Sequence, residues 1–130
     1  MQDDQAPGLD ANLDRLRANH RLLLLFAPYR DNGPLQWQQQ TLAASQGALN
    51  QRHVKLLTII GHDEGYLDGQ PLNHDTIIRL REEMEADAGK FTLILLDRDG
   101  QQMLYSHKPV RLHDLFAQLD ALPKVHPAER

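Results

Sequence analysis

The sequence predicts an α/β sandwich on a mixed four-stranded sheet, with elements in the order α-β-α-β-α-β-β-α. Three features of the chain point there. Residues 22–26 (LLLLF) form a continuous apolar run of strand length, as expected of a strand covered on both faces. Stripes with helical spacing alternate with such runs, the pattern that crossover connections produce. Near the end, Asp97-Arg98-Asp99-Gly100 joins two short apolar segments as a hairpin, because Asp-Gly supplies the positive φ angles of tight turns.

Residues 1–8 are polar, contain Pro7 and Gly8, and read as a disordered leader. Leu9, Leu13 and Leu16 recur at helical spacing and predict a short amphipathic helix over 10–19. After the first strand, Pro28 and Gly33-Pro34 punctuate a turn. Asn32 or Gly33 is placed to cap a helix with Pro34 in its first turn, where a missing amide hydrogen costs nothing. That helix runs from 34 to about 51, burying Leu35, Leu42 and Leu49, with Ala43, Ala44 and Ala48 at close contacts. Its glutamine face is interrupted only by Trp37, which packs against the first helix or lies half exposed.

Residues 54–60 read as a second strand, followed by a loop rich in Gly, Asp and His. Asn73 caps a helix over 75–87 with Ile77, Leu80 and Met84 on one face, and Gly89 ends it. Residues 91–96 and 102–105 form the hairpin strands. The last helix, 112–122, sets Leu112, Leu115, Phe116, Leu119 and Leu122 on one stripe, and Pro123 stops it. Helices between strands imply parallel crossovers, with the hairpin adding an antiparallel edge. One domain over 9–124 with a tail over 125–130 follows.

At 130 residues the chain suits one hydrophobic core. A formal net charge of −4 without a Lys/Arg cluster argues against nucleic acid as a partner, since phosphate affinity needs concentrated positive charge. The longest apolar run is far short of a membrane span, so no membrane insertion is expected. The first residues lack the basic-then-apolar pattern of a signal peptide, which fits a cytosolic start or a mature exported chain. The chain has no cysteine, which excludes thiol catalysis, thiolate metal sites and iron–sulfur clusters.

Two segments resemble thioredoxins. LLLLFAPYRDNGP is similar to their first strand and active-site turn, F-x-A-x-W-C-G-P-C, with Tyr29, Arg30, Asp31 and Asn32 where the aromatic and the cysteines lie. FTLILLDRDGQQMLY is similar to their P-T-L-L-L-F-x-x-G hairpin, with Phe91 at the cis-proline position. The resemblance implies a thioredoxin-like fold from which both the redox cysteines and the substrate-presenting proline are missing. RLLLLFAP, LNQRHVKLLTI, LLDRDGQQMLYS and LFAQLDALP resemble, more specifically, a thioredoxin-like family of unknown function. That family occurs as short exported proteins of Gram-negative bacteria and as C-terminal domains of vertebrate sushi-repeat matrix proteins. Arg98 departs from its usual Lys-Asp-Gly hairpin. Membership implies a periplasmic or otherwise exported location, with the cytoplasm as the alternative, and brings no settled catalytic residues.

Two candidate sites emerge. Tyr29, Arg30, Asp31 and Asn32 precede a helix N-terminus, whose free amides and dipole favour an anion or carbonyl ligand, and the thioredoxin resemblance adds Phe91 from the cis-proline position. The same residues also describe a simple cap beside a solvated arginine. His62, Asp63 and Glu64, with His74 nearby, hold the residue types of a divalent-metal site or a general base. No HxxxH, HExxH or EF-hand spacing occurs, so neither a metal nor another cofactor is expected. Ser45 and Ser106 lack a nucleophile elbow. The expected function is a redox-inactive binding module for an unidentified protein or small-molecule partner. The alternative is a non-thiol enzyme using the His62-Asp63-Glu64 loop, with or without a metal.

Overall fold

The computed structural model describes residues 15–87 and 89–128, with side chains through Asp120. Residues 15–19 are helical; the rest of the expected first helix and the leader lie outside the described residues. In chain order follow β1 (Arg21–Ala27), α1 (Gly33–Ala43), α2 (Gln46–Gln51), β2 (Val54–Ile60), β3 (Glu64–Leu67) and β4 (Gln70–Pro71). Then come α3 (His74–Met84), β5 (Thr92–Leu96), β6 (Gln102–Ser106) and α4 (Leu112–Ala128). The strands form one mixed sheet ordered β4-β3-β2-β1-β5-β6.

β1 lies inside the sheet and is covered on both sides, as its unbroken leucine run requires. Because successive strand residues face opposite ways, Leu23, Leu25 and Ala27 pack with Leu35, Leu42, Leu49, Leu115 and Leu119 from α1, α2 and α4. Leu22, Leu24 and Phe26 pack on the other face with Ile77 and Leu80 of α3. Truncating any of these fully buried leucines to alanine costs about 2–5 kcal/mol in lost transfer energy and cavity formation. At the periphery Arg52, just after α2, stacks over the Phe116 ring at 4.4 Å and donates to Asp120 at 2.8 and 3.1 Å, joining α2 to α4.

Both asparagine caps form: Asn32 Oδ1 accepts from Leu35 N at 3.0 Å and Asn73 Oδ1 from Thr76 N at 2.9 Å. The hairpin also forms, with Gly100 at φ 85° and its amide donating to Asp97 O at 2.9 Å.

Several expectations need correction. The sheet has six strands, not four: β3 and β4 occupy the segment expected to be a loop. Gly65 interrupts the side-chain alternation of β3, and β4 is two residues long and ends in proline, so neither carries a periodic signal. Parallel crossovers hold only for β1 and β2; β5 runs antiparallel to β1. An intervening helix does not set strand direction, and the chain enters β5 at Thr92, opposite Phe26 near the end of β1.

The long helix over 34–51 is two helices broken at Ala44-Ser45, where Ser45 takes φ −126°, and Ala43 and Ala44 are exposed. α3 ends at Met84 rather than near 87. Glu85 adopts the left-handed conformation usually left to glycine, and its amide closes onto the carbonyls of Arg81 and Glu82. α4 continues through Pro123 to Ala128, taking in most of the expected tail. Proline's φ is compatible with a helix, and its cost there is one missing donor and local crowding.

Candidate functional site

The ends of the two parallel strands build the site. Ala27 of β1 lies beside Ile60 of β2, and Gly61 N donates to Ala27 O at 2.8 Å. Gly61 has φ 60°, and a Cβ there would sit 3.5 Å from Pro28 O. That contact would be ordinary, so it is the positive φ that favours glycine where the β2 exit turns along the β1 exit. The turn over 28–32 is thereby brought against the start of β3.

On β3, Glu64 and Tyr66 are two residues apart and so share a face of the strand. Arg30, from the turn, forms an ion pair with Glu64 and its Nη2 donates to Tyr66 Oη at 3.2 Å. Tyr66 Oη in turn donates to Glu64 Oε2 at 2.6 Å. Each group has a role the others complete: a cation, a carboxylate acceptor, and a hydroxyl that accepts from one and donates to the other. Gly65, between them, faces the core, where a Cβ would come within 2.9 Å of Ile77 Cγ1 and 3.0 Å of Ile59 Cδ1.

The electrostatics follow this geometry. The hydrogen bond from Arg30, reinforced by that from Tyr66, holds the Glu64 carboxyl below the usual carboxylate range. The same contacts with Glu64 raise Arg30 and Tyr66, so all three stay in their resting protonation states across neutral pH. The three side chains form a polar ridge between two shallow depressions. One, of about 270 Å³, is completed by Gln39 and Ile60; the other, of about 280 Å³, by Asp63, Gly65, Pro71 and Leu72.

The residues singled out from sequence fall into different roles. Arg30 is in the ridge; Tyr29 is 57% exposed beside it. Asp31 is exposed, and the Asn32 side chain is engaged as the cap of α1. Phe91 is buried in the core, with His107 Nδ1 3.2 Å from its carbonyl, and presents no side chain to the ridge. The His62-Asp63-Glu64 loop divides: Glu64 joins Arg30, Asp63 lies 3.9 Å from His74, and His62 lines a separate depression with His74. No three His, Asp or Glu side chains are grouped for a metal among the described residues. Tyr66 and Gln39 were not legible as site residues. An alternating E-x-Y pair was the available signal for Tyr66, hidden by the glycine between.

Fold and site together define an α/β domain that presents a cysteine-free polar ridge at the ends of its two parallel strands. The chain belongs to the family described as Domain of unknown function (DUF4174), which matches residues 12–125. It is similar to the Sushi repeat-containing protein SRPX2 of Xenopus laevis, at 26% identity over 85% of this chain and 25% of that protein. The Homo sapiens SRPX2 is 27% identical over 83% of this chain and 24% of its own length. The Coiled-coil domain-containing protein 80 of Danio rerio is 27% identical over 95% of this chain and 17% of its own. The chain thus spans about a quarter or less of these relatives. No solved structure matches it. No helix among the described residues is long and apolar enough to cross a membrane.

Proposed function

We propose that this domain is a redox-inactive, thioredoxin-like binding module, exported to the periplasm, that holds a protein or small-molecule partner on the Arg30–Glu64–Tyr66 ridge. The observation that carries the reading is the convergence of Arg30 and Glu64, from two separately chosen segments, into one exposed network flanked by two depressions. Its chemistry suits a partner that offers an acceptor to Arg30 and a donor to Glu64, as a peptide group does. Without cysteine, the surface has no thiol to react. The thioredoxin-like assignment is supported by element order: with β3 and β4 set aside, β-α-β-α-β-β-α remains once α1 and α2 are counted as one crossover. Export rests on the resemblance to the exported bacterial members of the family. The enzymatic alternative gains nothing from the geometry, since His62 and Glu64 line different depressions.

The test is an amide NMR titration with a set of blocked tripeptides. Saturable shifts over residues 28–31 and 60–66 that disappear in Arg30→Ala support the site. A response unchanged by that substitution, or none from any peptide, overturns it. Cell fractionation of the native gene product tests export, and recovery in the cytoplasm alone counts against it.

A further inference from the structure

A further depression, sharing no lining residue with the ridge, lies where α3 meets the exit of β2. It encloses about 490 Å³ and is lined by His62, His74, Ile78, Arg81, Glu82 and Ala86. That volume falls within the ordinary range of small-molecule sites. His74, Ile78 and Arg81 are spaced along one face of α3. Ile78 is a large apolar side chain left 38% exposed there.

The charge of this depression is unusual. Arg81 donates through Nη2 to Gly61 O and through Nη1 to Ala86 O, both neutral carbonyls. Its Nε is buried without a hydrogen-bond partner, and it makes no ion pair among the described residues. The Phe26 ring, 5.5 Å from the guanidinium, offers partial compensation. Burial consequently pushes the Arg81 pKa down, with Asp87 opposing that shift. A partly desolvated cation without a counterion favours an arriving anion.

Three acidic groups oppose it. Glu82 lines the depression, Asp63 lies 3.9 Å from His74 Nδ1, and Asp87 acts on Arg81 from beyond α3. Near neutral pH, Arg81 and Glu82 therefore roughly balance at the wall. The two rim imidazoles add ring N–H donors for an arriving carboxylate.

We propose that the depression bounded by His62, His74, Ile78 and Arg81 is a binding site for a small carboxylate carried on an apolar body. The carboxylate lies toward Arg81 and the two imidazoles, and the apolar body covers Ile78 and Ala86. A free arylalkyl acid and the C-terminal residue of a peptide share this chemistry.

Amide NMR titrations with sodium phenylacetate, and with N-acetyl-alanylphenylalanine as the peptide acid, test the proposal. Saturable shifts are expected at residues 62, 74, 78 and 82. The matching amides give no saturable response. The tighter-binding acid identifies which source the site prefers. His62 and His74 are exposed, so a His62→Ala/His74→Ala variant folds and binds the acid more weakly. Ile78→Glu, also at an exposed position, weakens binding. Equal response to acid and amide, shifts centred instead on residues 30, 64 and 66, no saturation, or affinity unchanged in the double histidine variant would each overturn it.

Discussion

Gln38 is the clearest place to test how α1 is held. It sits amid a glutamine-rich helix face, yet its side chain is fully buried. Oε1 accepts from Val110 N at 2.7 Å and Nε2 donates to Val110 O at 3.0 Å, so the amide mimics a neighbouring strand for the segment leading into α4. Gln38→Met keeps most of the volume and removes both bonds. Each net bond is worth about 1 kcal/mol, and Val110 is left with two groups only partly reached by water, so the loss is about 2–4 kcal/mol. Gln38→Glu is more diagnostic. An ionised carboxylate there still accepts from Val110 N but faces Val110 O with no donor, whereas the neutral acid restores the pair. Burial raises the folded-state pKa of this new carboxyl above its unfolded value of about 4.3. Its penalty is therefore absent below the unfolded value and grows as pH rises toward the folded one, by about 1.4 kcal/mol per pH unit. Urea unfolding followed by far-UV circular dichroism, near pH 4 and pH 7, reads both effects. A Gln38→Met loss under about 0.5 kcal/mol, or a Gln38→Glu deficit that does not change with pH, refutes the bridging role.

Gly65→Ala should destabilise by about 1–3 kcal/mol, since its Cβ would come within 2.9 Å of Ile77 Cγ1, and thermal melts check it. Asn32→Ala and Asn73→Ala should each cost about 0.5–2 kcal/mol in urea unfolding, with the Asp variants close to wild type. The Glu64 carboxyl should titrate below ordinary glutamates by NMR and return toward them in Arg30→Ala. Because its folded pKa is depressed, Glu64 contributes stability above the unfolded pKa and loses it as pH falls through the folded one. That acid-side loss should be smaller in Glu64→Gln.

Sequence revealed the parts of the fold where one period dominates. The leucine run of β1, the caps at Asn32 and Asn73 and the Asp99-Gly100 hairpin were readable because each depends on local chemistry. β3 and β4 were not, because pairing to β2 and burial of Gly65 under Ile77 make them strands rather than any alternation of their own. The left-handed Glu85 and the break at Ser45 were hidden for the same reason: tertiary packing overrode the residue preferences used to place helix ends. At the site, Arg30 and Glu64 were each selected, but on opposite hypotheses. Only the parallel register of β1 and β2 brings them together. Gln38 reads as surface in any composition-based view, and its partner lies seventy-two residues away.

The sheet's two margins differ in what they offer a neighbour. The β4 margin is two residues long and ends in Pro71, which has no amide hydrogen to give to an incoming strand. The β6 margin spans five residues and carries exposed Tyr105. Among the described residues, growth of the sheet by strand addition, whether productive assembly or aggregation, is therefore lopsided: β4 offers an incoming strand little, and β6 offers a full edge.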